Sequence, residues 1–228
     1  MKKIIIFSGD PNSINSEIIF KSWKKIKKNT RKRIYLISNY DLLVKQFQKL
    51  NYSINLIKVK NISEEANNTK LKVINVDINF KNPFKVTKSS ASKFVISSLN
   101  LAHKLGMDKN VSGIINCAIN KNLLNKSKTG VTEYLASKCN LKNNSEVMLI
   151  RNKKLSVSPI TTHIDINQIS KKIKSSLIIN KIKNIYIFFK KYFKKKPKIG
   201  VLGLNAHNAE FRKKSEEYKI IVPSISKI

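Results

Sequence analysis

Two of the three histidines in this chain close apolar runs. His163 follows Ile160-Thr161-Thr162, and His207 follows the stretch "VLGLNA" that begins at Val201. Neutral imidazole is a common ligand of divalent metals, and it serves equally as a hydrogen-bonded structural group. The residue types leave both readings open. The third histidine, His103, sits near Leu99 and Leu101 in a helical stretch and reads as packed or surface-facing. Two more polar clusters follow apolar runs: Ser8-Gly9-Asp10-Pro11, and Asn116 to Lys121. In open α/β sheets ligands bind outside the carboxyl ends of strands, so these four clusters are the candidate site.

The elements that must carry them are legible in the hydrophobic pattern. "KKIIIFS" reads as a buried strand, followed by a helix in "SINSEIIFKSWKKIKK" with Ser13 or Asn15 as cap and Glu17 in its first turn. "RIYLIS", "SINLIKV", "LKVINVDI" and "SGIINCAI" read as further strands, with helices in "YDLLVKQFQKL" and from about Lys88 to Leu105. "VTEYLASKC" reads as a short helix, and "SEVMLIRN" and "KLSVSPITTHI" as strands. One long helix is expected from Asn167 to Phe193, leading through Pro197 into a strand in "KIGVLGLN". This rhythm predicts an α/β protein, an open and mostly parallel sheet with helices on both faces. A junction near Gly106 divides it into an N-terminal α/β domain, 1–110, and a substrate and metal domain, 111–228.

Size and composition narrow the class. The 228 residues are 41% hydrophobic, which suits a packed globular chain. The net charge of +33 invites a nucleic-acid or anionic-membrane partner. Yet all the cations except Arg31, Arg33, Arg151 and Arg212 are lysine, whereas arginine is the residue that grips phosphates bidentately. The lysine excess therefore reads as solvated surface, and neither nucleic acid nor membrane is expected as partner. The helix around "KIKNIYIFFKKYFKKKPK" is read the same way, packing its apolar face with its lysines in water. Cys117 and Cys139 make no disulfide framework or C-x-x-C pair and read as reduced thiols. The apolar run at the N-terminus is too short for a signal peptide, so a cytoplasmic protein is expected.

The clusters taken in order resemble the 4-hydroxythreonine-4-phosphate dehydrogenase family of pyridoxal phosphate biosynthesis. "SGDPNSINSEI" is similar to its G-D-P-A-G-I-G-P-E-I element, "INCAINKNLL" to T-x-P-I-x-K, and "GVTEYLA" to G-H-T-E-x-L-A. "ITTHIDI" is similar to T-T-H-x-P-L, and "VLGLNAHNAE" to G-L-N-P-H-A-G-E. The resemblance implies a fold like that of isocitrate and isopropylmalate dehydrogenases, working as a homodimer. It implies NAD-dependent oxidation of a secondary alcohol in a small phosphorylated hydroxy-amino acid, followed by decarboxylation. A divalent cation (Zn, Mg or Co) held by three histidines assists the chemistry. His163 and His207 match two of those ligands, Thr132 matches a substrate-contacting threonine, and Lys121 is the catalytic candidate, matched to the lysine of T-x-P-I-x-K and expected to meet an anionic group of the substrate.

The departures point to a second reading. Val131 stands where the family has a substrate-contacting histidine, and Ser13 and Asn15 stand where it has glycines. Ala206, Asn208, Phe211 and Arg212 alter the last element. Family members continue past the segment matching "YKIIVPSISKI" into a Y-H-D-Q-G element carrying the third metal histidine. The chain is accordingly read as lacking the C-terminal part of the fold. A separately encoded C-terminal fragment is one partner this implies, and a catalytically degenerate binding or regulatory subunit is the alternative function.

Overall fold

A computed structural model of the chain describes residues 1–64, 69–124, 130–139, 146–162 and 164–228. The chain forms two compact units, Met1–Lys138 and Cys139–Ile228.

Five parallel strands build the first unit: β1 (Lys3–Phe7), β2 (Ile34–Ser38), β3 (Leu56–Val59), β4 (Leu71–Asn75) and β5 (Val111–Asn116), in the order β3-β4-β2-β1-β5. Successive residues of a strand face opposite sides, and β2 uses both. Ile34 and Leu36 pack against Ile19 and Trp23 of α1 (Asn15–Lys25) and Leu43 and Phe47 of α3 (Tyr40–Lys49). Between those helices lies the single turn α2 (Lys28–Arg31). Tyr35 and Ile37 pack on the other side against Phe94, Val95 and Leu99 of α4 (Lys88–Gly106). Every residue of β2 is buried, as a central parallel strand covered on both faces requires.

Two helix starts follow local capping chemistry, Asn39 Oδ1 accepting from Leu42 N at 2.9 Å and Thr87 Oγ1 from Ser90 N at 3.4 Å. At α1 neither Ser13 nor Asn15 is the cap. Ile14 takes that position with no side-chain hydrogen bond, while Ser13 Oγ donates to Asp10 O at 2.8 Å and Asn15 turns away into a tertiary contact. Residues 111–116, read from sequence as opening the second domain, are hydrogen-bonded to β1 and so complete the first unit's sheet. α5 (Val131–Lys138) closes this unit.

Among its described residues the second unit has little sheet. Of the two strands expected over 145–152 and 154–164, the described residues form the antiparallel pair β6 (Ile150–Arg151) and β7 (Ser156–Val157). The long helix expected over 167–193 is broken. α6 (Ile169–Lys172) ends at Ile173, whose extended backbone (φ −70°, ψ 120°) turns its side chain into a cluster with Ile178, Ile182 and Ile221. α7 (Ser175–Phe188) then restarts, with Ser175 Oγ accepting from Ser224 Oγ at 2.9 Å, and runs into a wider turn, Phe189–Phe193. Burial of Ile173 thus overrides an unbroken helical pattern. The expected strand in "KIGVLGLN" has no ladder partner among the described residues: Val201 and Leu204 pack on the isoleucine cluster, but Leu202 is 88% exposed. A final turn, α8 (Val222–Ile225), ends the chain. No helix among the described residues is long and apolar enough to cross a membrane.

Candidate functional site

In the first unit the strand order reverses at β1, so the crevice where ligands bind in such sheets lies between the carboxyl ends of β1 and β5. Gly9 enters this crevice with φ +75°, and a Cβ there would collide with the carbonyl oxygen of Ala118, so glycine is required on both counts. Ala118 O accepts from Asp10 N at 3.0 Å and from Asn15 Nδ2 at 2.7 Å, while Ala118 N donates to Asn15 Oδ1 at 3.2 Å. The Asn15 amide therefore staples the loop after β1 to the loop after β5. Asn12 binds Val86 through both its amide groups (2.8 and 2.7 Å), and Gln46 Nε2 holds the carbonyls of Pro11 and Pro83 at 2.9 and 2.7 Å. With Asn15 filling it, this crevice does not fit a dinucleotide pyrophosphate.

Lys121 is exposed at the head of a short helical turn, Lys121–Leu123, just beyond β5. Buried Leu123 and Leu124 anchor that turn, and Ser92 of α4 donates to Leu123 O at 2.7 Å. Thr132 is exposed in the first turn of α5, a helix tied to α4 by Tyr134 Oη donating to Asn100 Oδ1 at 2.8 Å. Burial raises the Tyr134 pKa against that hydrogen bond. One helix thus positions both candidates, through Ser92 and Asn100, roughly 12 Å apart along its axis at 1.5 Å per residue. Val131 is half-buried and packs its side chain on the core beside Tyr134. Glu133, which pattern reading passed over, holds a carboxylate oxygen that is buried with no hydrogen-bond partner among the described residues. Cys117 follows β5; burial pushes its thiol up to about 11, so it is a poor nucleophile at neutral pH.

In the second unit His207 is exposed on an unusual backbone. His207, Asn208, Ala209, Glu210 and Phe211 all have φ between +50° and +53°, a left-handed helical turn built without glycine. Each such residue costs roughly 1–2 kcal/mol over the right-handed form. The turn is held at its entry by Glu217, only 1% exposed, whose Oε1 accepts from Leu204 N at 2.9 Å and Asn205 N at 2.7 Å. The Asn205 side-chain amide adds two longer bonds to the same carboxylate, at 3.2 and 3.0 Å. The Asn205 N–H foremost, opposed by burial and helped by the other donors, holds the Glu217 carboxyl down to about 2. At its exit Arg212 Nε donates to Ala209 O at 3.1 Å.

His163 lies outside the described residues. Among the described residues no group of three or more His, Cys, Asp or Glu side chains is placed to hold a metal ion. The donor set around His207 does not by itself fit a three-histidine site. Lys121 and Thr132 belong to one unit and His207 to the other.

A parallel sheet with a switch point between β1 and β5, and polar clusters beyond its carboxyl ends, define a doubly wound α/β protein. The comparisons agree and narrow the class. Residues 30–228 match the model of the family described as pyridoxal phosphate biosynthetic protein PdxA. The chain is 31% identical over 233 residues to a 4-hydroxythreonine-4-phosphate dehydrogenase of Sulfurihydrogenibium sp., covering 99% of this chain and 70% of that protein. It is also 31% identical to the enzyme of that name in Aquifex aeolicus, covering 98% and 69%. The crystal structure of 4-hydroxythreonine-4-phosphate dehydrogenase from Klebsiella pneumoniae superposes with a TM-score of 0.84 over 100% of this chain and 71% of that one; at 23% identity this is a likeness of fold. The chain belongs to the PdxA family.

Proposed function

We propose that this protein is an oxidoreductase of the 4-hydroxythreonine-4-phosphate dehydrogenase type. It oxidises the secondary alcohol of a small phosphorylated hydroxy-amino acid with NAD, and loss of carbon dioxide from the resulting β-keto acid follows. The observation that carries this is the match to relatives of that name along nearly the whole chain at 31% identity. In the proposal Lys121 supplies a cation to an anionic group of the substrate, and the Thr132 hydroxyl hydrogen-bonds it. His163 and His207 would be two of the ligands of a divalent metal, which would supply Lewis acidity for the alcohol oxidation. The working form is a homodimer. The test is NADH formation by purified protein given 4-hydroxythreonine 4-phosphate, NAD and Mg²⁺ or Zn²⁺, lost in His207→Ala. Absence of NADH under every metal condition overturns the proposal.

A second reading, a relative that binds substrate without turning it over, is favoured by Val131. Its apolar side chain packs on the core at the position where the resembled element has a hydrogen-bonding histidine. Calorimetric binding of substrate without NADH production would establish it, and turnover would remove it.

A further inference from the structure

We propose that the groove beside the left-handed turn is a phosphate-binding site gripped by Arg212. The groove has a volume of about 400 Å³ and is lined by Asn205, Ala209, Arg212, Lys213, Lys214 and Glu216, among others. Its arginine differs from the other three in what its guanidinium touches. Arg31 spends its head on the carbonyls of Ile26 and Trp23, at 3.0 and 2.8 Å. Arg33 bonds Lys2 O at 2.7 Å and Ser112 Oγ at 3.2 Å, and Arg151 lies 4.1 Å over the ring of Phe193. Arg212 is pinned through Nε alone, to Ala209 O, and its Nη groups carry no hydrogen bond among the described residues. A guanidinium oriented by one bond with its fork uncommitted matches the oxygens of a phosphate.

Charge and backbone agree. Three cations face one carboxylate in the lining, and that carboxylate, Glu216, accepts from Asn205 Nδ2 at 3.1 Å. The carbonyl that orients Arg212 belongs to Ala209, inside the turn of five left-handed residues. Backbone held in so sparsely populated a conformation is characteristic of ligand clamps. The phosphate belongs to a phosphomonoester or to a dinucleotide. Only that identification rests on the dehydrogenase reading; the site itself does not.

The full chain is titrated calorimetrically with inorganic phosphate at low ionic strength, where screening is weakest. Saturable binding is expected, weakened about tenfold or more by Arg212→Ala. Lys213→Ala/Lys214→Ala keeps the Nε bond to Ala209 and decides the matter if Arg212→Ala fails to fold; it too weakens binding. Lys195→Ala/Lys196→Ala, an exposed pair elsewhere, leaves it unchanged. Equal loss in that control, or no loss in either groove variant, overturns the site. Displacement of phosphate by O-phosphothreonine identifies a phosphomonoester and displacement by NAD a dinucleotide; displacement by neither overturns the assignment. Localised phosphate binding without NADH formation leaves the site standing and removes only the dehydrogenase reading.

Discussion

The carboxylate of Glu217 and the backbone N–H of Asn205 meet at 2.7 Å, twelve residues apart, at the point where the chain enters its left-handed turn. That bond, with its companion to Leu204, satisfies two donors beyond an unpaired apolar run and seats His207 on a fixed base. The carboxylate must be ionised to accept them all. Its folded pKa of about 2 lies below the ordinary 4.5, so its contribution to stability is present above about pH 4.5 and is lost as pH falls toward 2. In thermal unfolding followed against pH, the native protein loses stability more steeply than Glu217→Gln between those limits, and the variant melts several degrees lower at neutral pH. Parallel curves would show that the carboxylate carries no such role.

The Asn15 staple makes a separate prediction. Asn15→Ala leaves Ala118 N–H without its acceptor and Ala118 O without one of its donors, inside a buried crevice. The cost expected from an unsatisfied buried group is about 1–3 kcal/mol, read from urea denaturation. Asn15→Gly, which installs the residue of the resembled element, opens the crevice at a similar or greater cost. A loss below a few tenths of a kcal/mol would mean the contact is incidental.

Handedness can be read from a substitution that normally does harm. Glycine in a right-handed helix destabilises by about 1 kcal/mol relative to alanine. Glu210 is exposed at φ +51°, where glycine removes a Cβ penalty of similar size. Glu210→Gly therefore leaves the melting temperature unchanged or raises it. A clear fall would contradict the left-handed turn.

Kinetics separate the roles proposed for the site residues. In its proposed role Lys121 binds the substrate before and during reaction, so Lys121→Met is expected to raise KM about tenfold to a hundredfold with a smaller change in kcat. Thr132→Val raises KM less, because a neutral hydrogen bond is worth less than a charged one. His207→Ala abolishes metal-dependent turnover with circular dichroism unchanged. Loss of kcat alone in Lys121→Met would move that lysine from binding to proton transfer.

Much of the first unit was present in the amino-acid sequence because its signals are local. The apolar run in "RIYLIS" and the helical spacing of Ile19 and Trp23 act within one or two turns of chain, and both formed as the pattern implies. The segments resembling PdxA elements were legible for the same reason, since each is a short string. What tertiary structure decided is long-range. Asn15 had the chemistry of a cap, but Ala118, 103 residues away, claimed its amide. The helix over 167–193 broke at Ile173, where no proline or glycine marks a stop, because a buried cluster with Ile178 and Ile221 outweighed continuity. The left-handed turn carrying His207 has no glycine to announce it. Its conformation depends on Glu217 and Arg212 binding its two ends, and only the folded chain brings those partners together.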